Sequence, residues 1–192
     1  MQNPTTNKSD SKRAPRRRDA APRVPSEFEE KVLEVSRVTR VVKGGKRMRF
    51  RALVVIGDRK NRVAFGLGKA NDVATAVQKA VATAKKDIVK VTLRKGTLPY
   101  RVTGHHKSAH VLVKPANPGT GLIAGGAVRT VLELAGLQDV VAKMLGSSNK
   151  ASNVVATIEA LRAVTSPRDL MARRGIAKAA KKDKEVEETQ EA

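Results

Sequence analysis

The chain has 192 residues, with 39 Lys and Arg against 18 Asp and Glu, and its formal net charge is +21 at pH 7. It contains no Trp, and it contains no Cys, so that disulfides, thiolate zinc sites and cysteine nucleophiles are excluded. A charge of this sign and size concentrates polyanions around the protein. Nucleic acid and anionic membrane surfaces are therefore the partner classes to consider.

The distribution of apolar and aromatic residues favours nucleic acid over a membrane. No apolar run approaches the length of a membrane span, and a basic amphipathic surface helix would need more large apolar side chains on its buried face. The whole aromatic inventory is Phe28, Phe50, Phe65 and Tyr100. Because so few rings are available for stacking on bases, we expect recognition through phosphates and shape, which is typical of folded RNA.

The two ends of the chain differ in composition from the middle. Residues 1–26 carry seven basic and two acidic side chains among several prolines, which predicts a disordered basic arm. A mitochondrial transit peptide is the alternative, disfavoured by Asp10 and Asp19. Residues 177–192 carry four basic and five acidic side chains and are predicted to form a disordered charged tail. Two folded domains are expected between them, over residues 27–94 and 95–176.

The first domain is predicted as three strands followed by a helix. Strand-like runs at 32–42, 47–56 and 62–68 are separated by turns, the first of which is Lys43-Gly44-Gly45-Lys46. A short glycine turn between two such runs is typical of a β-hairpin. The period then becomes helical, with Asn71 or Asp72 as the predicted cap and apolar positions at Val73, Val77, Ala80, Val81, Ala84 and Ile88.

The second predicted strand alternates between arginine and hydrocarbon. Successive side chains of a strand point to opposite faces, so that Arg47, Arg49 and Arg51 share one face. The other face, predicted to pack on the core, carries Met48, Phe50, Ala52, Val54 and Ile56. Like charges in a row repel one another unless a polyanion lies across them, which indicates a nucleic-acid contact. A solvated sheet face is the alternative.

The second domain is predicted as a small α/β unit. A strand at 110–114 precedes a glycine-rich turn at 118–126 and a helix that ends at Gly136. After a short apolar run at 140–145, a helix is expected with its cap near Ser152 or Asn153, and a last helix is expected to begin at Pro167. Since each unit is about half the usual domain size, we expect the two to share an apolar interface.

The glycine-rich turn invites comparison with nucleotide-binding loops. Gly121 and Gly126 have the spacing of a phosphate-binding loop, but Ala127 and Val128 stand where a lysine and a magnesium-binding hydroxyl are required. A phosphotransferase is therefore disfavoured. The alternatives are a tight turn that brings a helix close to a neighbouring backbone, and an RNA phosphate bound at the N-terminus of that helix.

Three histidines lie close together in the sequence, at positions 105, 106 and 110, which suggests a metal site. No carboxylate occurs between Asp87 and Glu133, whereas histidine–metal sites usually include carboxylates that orient the ligands. The same stretch offers no carboxylate for general acid–base catalysis. We therefore expect the histidines to contact RNA or a protein partner, and we expect neither a metal nor another cofactor.

Four motifs in order and spacing resemble the bacterial-type family of small ribosomal subunit protein five. The resemblance covers roughly residues 27–175, and motifs in the correct order are more specific than any one of them. They are Thr39-Arg40-Val41-Val42-Lys43-Gly44-Gly45-Lys46, Val54-Val55-Ile56-Gly57-Asp58, Arg62-Val63-Ala64-Phe65-Gly66-Leu67-Gly68-Lys69-Ala70 and Pro115-Ala116-Asn117-Pro118-Gly119-Thr120-Gly121-Leu122-Ile123-Ala124-Gly125-Gly126-Ala127.

The resemblance implies an α+β fold. Its first module is similar to a double-stranded-RNA-binding domain without the first helix, and its second is an α/β module with a left-handed βαβ crossover. It also implies a non-enzymatic, cytoplasmic, ribosome-bound protein that binds small-subunit ribosomal RNA and contacts small ribosomal subunit proteins four and eight. The mRNA would pass nearby where it enters the subunit.

The residues predicted to contact RNA combine the charge pattern with the resemblance. They are Arg40, Lys43, Gly44, Gly45, Lys46, Arg47, Arg49, Arg51, Arg62 and Lys69. The family implies that the loop at Lys43–Lys46 reaches the RNA hinge of the subunit head, beside the spectinomycin site. It also implies that Gly104, His105, His106 and His110 face protein four, where substitutions alter decoding accuracy. A free-standing RNA-binding regulator or chaperone is the alternative function.

Overall fold

The computed structural model describes residues 27–174, and the predicted arm at 1–26 and tail at 177–192 lie outside the described residues. The first module contains a four-stranded antiparallel sheet in the order β1-β2-β3-β4. Its strands are β1 (Glu29–Val42), β2 (Gly45–Gly57), β3 (Arg62–Ala70) and β4 (Val89–Lys90). Helix α1 (Val73–Ala84) connects β3 to β4. The predicted order of three strands and a helix is confirmed.

The second module contains another four-stranded sheet, in the order β5-β6-β8-β7. Strands β7 and β8 are parallel neighbours joined through α2, which makes a βαβ unit. The elements are β5 (Val102–His106), β6 (Ala109–Pro115), β7 (Leu122–Ile123), α2 (Gly126–Leu134), β8 (Val140–Gly146), α3 (Lys150–Ala163) and α4 (Pro167–Arg173). The α+β class is confirmed, and the left-handed sense of the crossover stays a prediction.

Helix α1 packs on one face of the first sheet because β3 carries glycines beneath it. A side chain at Gly66 would overlap the carbonyl oxygen of Ala80, and one at Gly68 would overlap that of Ala76. On β2 the same face supplies the fully buried Ala52, Val54 and Ile56. The close approach lets a helix of small residues bury these aliphatic side chains, which provides much of the hydrophobic stabilisation of this module.

The opposite face of the first sheet packs on the second module at one end. Leu53, Val55 and Val63 belong to the same apolar cluster as residues of β6, α2 and α3, which confirms the predicted shared interface. The β2–β3 turn adds polar contacts, because the backbone N–H of Arg59 donates to the carbonyl of Leu134 at 3.0 Å and that of Asn61 donates to the carbonyl of Ala135 at 3.1 Å. The two modules are thereby held as one packed body.

Several local predictions were wrong, each for an identifiable reason. The N-cap of helix α3 lies three or four residues earlier than the expected Ser152 or Asn153, because Asn149 caps the helix by accepting a hydrogen bond from the N–H of Ala151 at 3.1 Å. Ile88 lies beyond the end of α1 and is 38% exposed. Met48 is 54% exposed because β3 ends opposite Phe50, so that Met48 lies beyond the three-stranded part of the sheet. The short strands β4 and β7, and strand β5, had not been predicted.

Candidate nucleic-acid interface

The first part of β2, together with β1, forms a two-stranded hairpin that extends past the rest of the sheet. Among the described strands, Gly45–Arg49 pair only with β1, since the pairing with β3 begins at Phe50. The turn is made at Lys43 and Gly44, and Gly44 adopts a φ of 94°, which is readily accessible only to glycine. Lys43, Gly44, Gly45 and Lys46 are all exposed at this tip.

The strand register brings several predicted RNA-contact residues to one face of the hairpin. Arg40 lies directly opposite Arg47, Val38 lies opposite Arg49, and Lys69 of β3 lies opposite Arg51. Side chains at paired positions point to the same face of a sheet. Lys46 pairs with Val41 and therefore belongs to the other face, although its place at the tip keeps it exposed.

This face holds a groove of about 260 Å³, which we call the arginine groove. Its lining residues are Val38, Thr39, Arg40, Arg47, Arg49 and Lys69. Among the side chains that the structure describes, no carboxylate lies within ion-pair distance of the four cations of the groove. The groove is thus a concave, positively charged surface whose charges are uncompensated within the folded part of the chain.

One carboxylate separates the arginine groove from the buried interface. Glu34 lies 3.9 Å from the guanidinium of Arg51 and 4.0 Å from Nζ of Lys150, at the start of α3, and it accepts a hydrogen bond from Oγ of Ser36 at 2.8 Å. Arg51 therefore shares the face of Arg47 and Arg49 but has a protein partner. Its charge is less available to an external anion than theirs.

Arg62 lies at the opposite end of β3 from Lys69 and is not part of the arginine groove. Its Nε donates to the carboxylate of Asp58 at 2.6 Å, and its guanidinium lies over the ring of Phe28, 4.9 Å from the centroid. A further carboxylate, that of Glu27, lies 3.9 Å away. These contacts describe an arginine that holds the β2–β3 turn and the start of β1 together.

The Asp58 carboxylate organises the same turn. Burial raises its pKa, but hydrogen bonds from the Arg62 side chain and from the backbone N–H groups of Arg62 and Lys60 outweigh burial, so that the pKa lies below its usual value. The two backbone bonds measure 3.0 and 2.7 Å. Asp58 is therefore charged at neutral pH and stabilises the turn that contacts α2.

The glycine-rich turn is held by a side chain of the protein. One carboxylate oxygen of Asp139 accepts hydrogen bonds from the N–H groups of Gly119 and Gly121, at 3.0 and 2.9 Å. These bonds hold the loop as a tight turn that leads into β7 and α2. They engage Gly119 and Gly121 and not the N–H groups at the start of α2, so that a phosphate at this helix N-terminus stays a prediction.

The histidines do not converge on one point. His105 and His110 are cross-strand neighbours with ring centroids 3.7 Å apart, whereas Nδ1 of His106 lies 3.3 Å from the carboxylate of Glu159 on α3. Gly104 lies under α3, where a side chain would overlap the carbonyl of Ala156. Among residues 27–174, no three His, Cys, Asp or Glu side chains are grouped as metal ligands. His105 and His110 therefore remain candidates for a partner surface.

Sequence reasoning identified the four cations of the arginine groove but missed its apolar part. Val38 is half-buried and lines the groove opposite Arg49. The only signal was its position two residues before Arg40 on the same strand, which could be used only once the register of the hairpin was known.

None of the helices in the described part of the chain is long and apolar enough to cross a membrane.

Comparisons with known proteins cover both modules. The family model described as ribosomal protein S5, N-terminal domain, matches residues 28–92, and the one described as ribosomal protein S5, C-terminal domain, matches residues 104–174. The chain is 51% identical to small ribosomal subunit protein uS5 of Methylorubrum extorquens over 162 residues, which are 84% of each chain.

Two further relatives give the same result. The uS5 protein of Bartonella henselae is 51% identical over 152 residues, which are 79% of this chain and 84% of the relative. The uS5 protein of Thermotoga neapolitana is 45% identical over 150 residues, which are 78% of this chain and 84% of the relative. With both modules matched in order and about half of the aligned residues identical, the chain belongs to the ribosomal protein S5 family.

Proposed function

We propose that this protein is a non-catalytic constituent of the small ribosomal subunit that binds small-subunit ribosomal RNA through the arginine groove and the hairpin tip. The observation that carries the proposal is the set of four cations on one face without a carboxylate partner among the described side chains. Family membership supports the same function. The protein would work on ribosomes in the cytoplasm.

The mechanism is electrostatic docking of a preformed surface. The buried interface fixes the end of the first sheet, and the hairpin presents its cations at positions set by the strand register. Neutralising RNA phosphates with these cations releases counterions, so that binding should weaken steeply as salt is raised. Gly44 and Gly45 would let the hairpin backbone approach the RNA closely, because at these two positions no side chain stands between the backbone and the RNA.

The finer contacts follow from the resemblance and extend the proposal. The tip at Lys43–Lys46 would reach the RNA hinge of the subunit head beside the spectinomycin site, and the mRNA would enter the subunit nearby. His105 and His110, with Gly104 and His106 behind them, would face small ribosomal subunit protein four, and protein eight would be a second neighbour. Through these contacts the protein would support assembly, the geometry of head and body, and decoding accuracy.

Sedimentation of a cell extract on a sucrose gradient tests the proposal. We expect the protein in small-subunit, ribosome and polysome fractions, and we expect it to resist a moderate salt wash. A predominantly free, slowly sedimenting pool would instead support a free-standing RNA-binding regulator or chaperone. That result would contradict a structural role in the ribosome.

A triple substitution of Arg47, Arg49 and Arg51 by Ala tests the proposed surface directly. We expect weaker incorporation into small subunits and a shallower dependence of RNA affinity on salt. Unchanged incorporation and an unchanged salt slope would show that this face does not bind the RNA. Thermal unfolding of the free variant serves as the control, since all three side chains lie outside the apolar clusters.

A further inference from the structure

The arginine groove has a shape that charge alone does not explain. A surface that only follows the outside of an RNA helix could be flat, whereas the groove is a concavity of about 260 Å³. This is slightly smaller than the sites of roughly 300–1,000 Å³ that hold small molecules. It is large enough for a single nucleotide and far too small for a segment of double helix.

The groove also has an apolar component. Val38 is half-buried between the cations, on the same face as Arg40 and directly opposite Arg49. A phosphate placed over Val38 would make no favourable contact with this aliphatic side chain. A nucleobase would pack well there, because its faces are apolar enough to contact a methyl group and flat enough to stack on a guanidinium plane.

We propose that the arginine groove holds one unpaired RNA nucleotide turned out of its helix, with its base against Val38 and its flanking phosphates on the cations. The inference rests on the proposed RNA-binding function and adds the class of RNA feature that the groove recognises. Guanidinium planes from Arg47 and Arg49 take the part that aromatic rings play in other RNA-binding proteins, since no aromatic side chain lines the groove.

Binding of the full-length protein to three short RNA hairpins tests the inference. The first hairpin has one unpaired nucleotide in its stem, the second is perfectly paired, and the third carries an abasic residue at the unpaired position. Affinities are measured by fluorescence anisotropy at several salt concentrations. We expect the first RNA to bind about tenfold more tightly than the other two, in line with the contribution of one stacked base.

A pair of variants locates the effect. Val38→Met extends a longer side chain into the groove without changing the charge and without adding a ring on which a base could stack. Val35→Met makes the same change on the opposite face of the same strand, where Val35 is 44% exposed. We expect Val38→Met to reduce the preference for the unpaired nucleotide strongly and to leave the salt slope intact, whereas Val35→Met keeps both. Val38→Leu, with less added length, should reduce the preference partially, and it replaces Val38→Met as the test if thermal unfolding shows that variant to be unfolded.

The outcomes separate the inference from the function on which it rests. Equal, strongly salt-dependent binding of all three hairpins would overturn the inference and leave the RNA-binding function standing. So would equal binding of the abasic and intact unpaired RNAs, because the base would then contribute nothing. A preference that survives unchanged in Val38→Met would place the nucleotide elsewhere and also overturn the inference. Absence of salt-dependent binding to any of the hairpins would contradict both.

Discussion

The two halves of strand β2 have different tasks. From Ala52 to Ile56 every residue is buried, with Ala52, Val54 and Ile56 beneath α1 and Leu53 and Val55 against the second module. From Gly45 to Arg49 every residue is exposed, and of the strands in the described part of the chain only β1 pairs with this segment. A single continuous strand thus anchors itself in the core at one end and presents charge at the other.

The difference teaches how the chain separates stability from binding. In the buried half, side chains stabilise the fold by removing apolar surface from water. Because the core is close-packed, both larger and smaller side chains at these positions lower the stability. In the exposed half, the register places Arg40 directly opposite Arg47, a like-charge pair that opposes folding rather than favouring it. Such a pair is explained if an anion lies across it in the functional state.

The largest effect should come from the buried half. Gly66→Ala places a methyl group where it would overlap the carbonyl oxygen of Ala80. It should lower the free energy of unfolding by about 3 kcal/mol or more. Chemical denaturation measures this. Gly126→Ala is the control, since no atom lies within 4 Å of the added methyl group, and it should be neutral or mildly stabilising in α2. Equal effects of the two substitutions would contradict the close packing of α1.

The second effect concerns the turn that joins the modules. Asp58→Ala removes an acceptor for two backbone N–H groups and leaves Arg62 without its closest partner, so that stability should fall by about 2 kcal/mol. Because the folded pKa of Asp58 is below its usual value, its contribution is complete above pH of about 4 and disappears as the pH falls through the folded pKa. The difference between wild type and variant should therefore shrink in acid. A difference that is independent of pH would argue against the charged interaction.

The third effect belongs to the exposed half, where a substitution should lower RNA affinity without lowering the stability of the free protein. Arg47→Gln removes one side of the like-charge pair, so that the free protein should be as stable as wild type or slightly more stable. Its RNA affinity should fall, and the slope of log affinity against log salt should decrease by about 1. Parallel measurement of thermal unfolding and RNA binding provides the comparison. Loss of stability together with unchanged binding would show that Arg47 has a structural role instead.

The smallest effect on RNA binding is expected at Arg62. Its guanidinium is engaged by Asp58 and lies over Phe28, so that Arg62→Gln should lower stability and change the RNA salt slope by much less than Arg47→Gln does. Binding and unfolding measured on the same preparation distinguish the two arginines. A loss of affinity as large as that of Arg47→Gln would restore Arg62 to the RNA-contact surface.

The sequence predicted much of this molecule, and its errors have physical causes. Local alternation and glycine turns located β1, β2, β3 and the face of Arg47 and Arg49, because these patterns depend on near neighbours in the chain. The roles of Arg51 and Arg62 could not be separated in the same way. Glu34 and Asp58 engage them through tertiary geometry, and no periodicity marks such pairs.

The short strands show the same limit. Strands β4 and β7 have two residues each, too few for a period to be detected, and they form because a longer neighbour supplies the hydrogen bonds. Val38 is a related case, since its place in the groove depends on the register between β1 and β2. The sequence shows which residues each strand contains, and the register of strand pairing decides which of them are in contact.

One measurement tests the central claim that the position of the charges, rather than their number, directs this protein to RNA. A variant with Arg40, Arg47, Arg49 and Lys69 changed to Gln competes with wild type for incorporation into small subunits, as does a variant with the exposed Lys79, Lys85, Lys86 and Lys90 changed to Gln. Both lose the same charge. We predict that the first is largely excluded from sedimenting subunits and that the second is incorporated almost like wild type. Equal incorporation of the two variants would contradict the account.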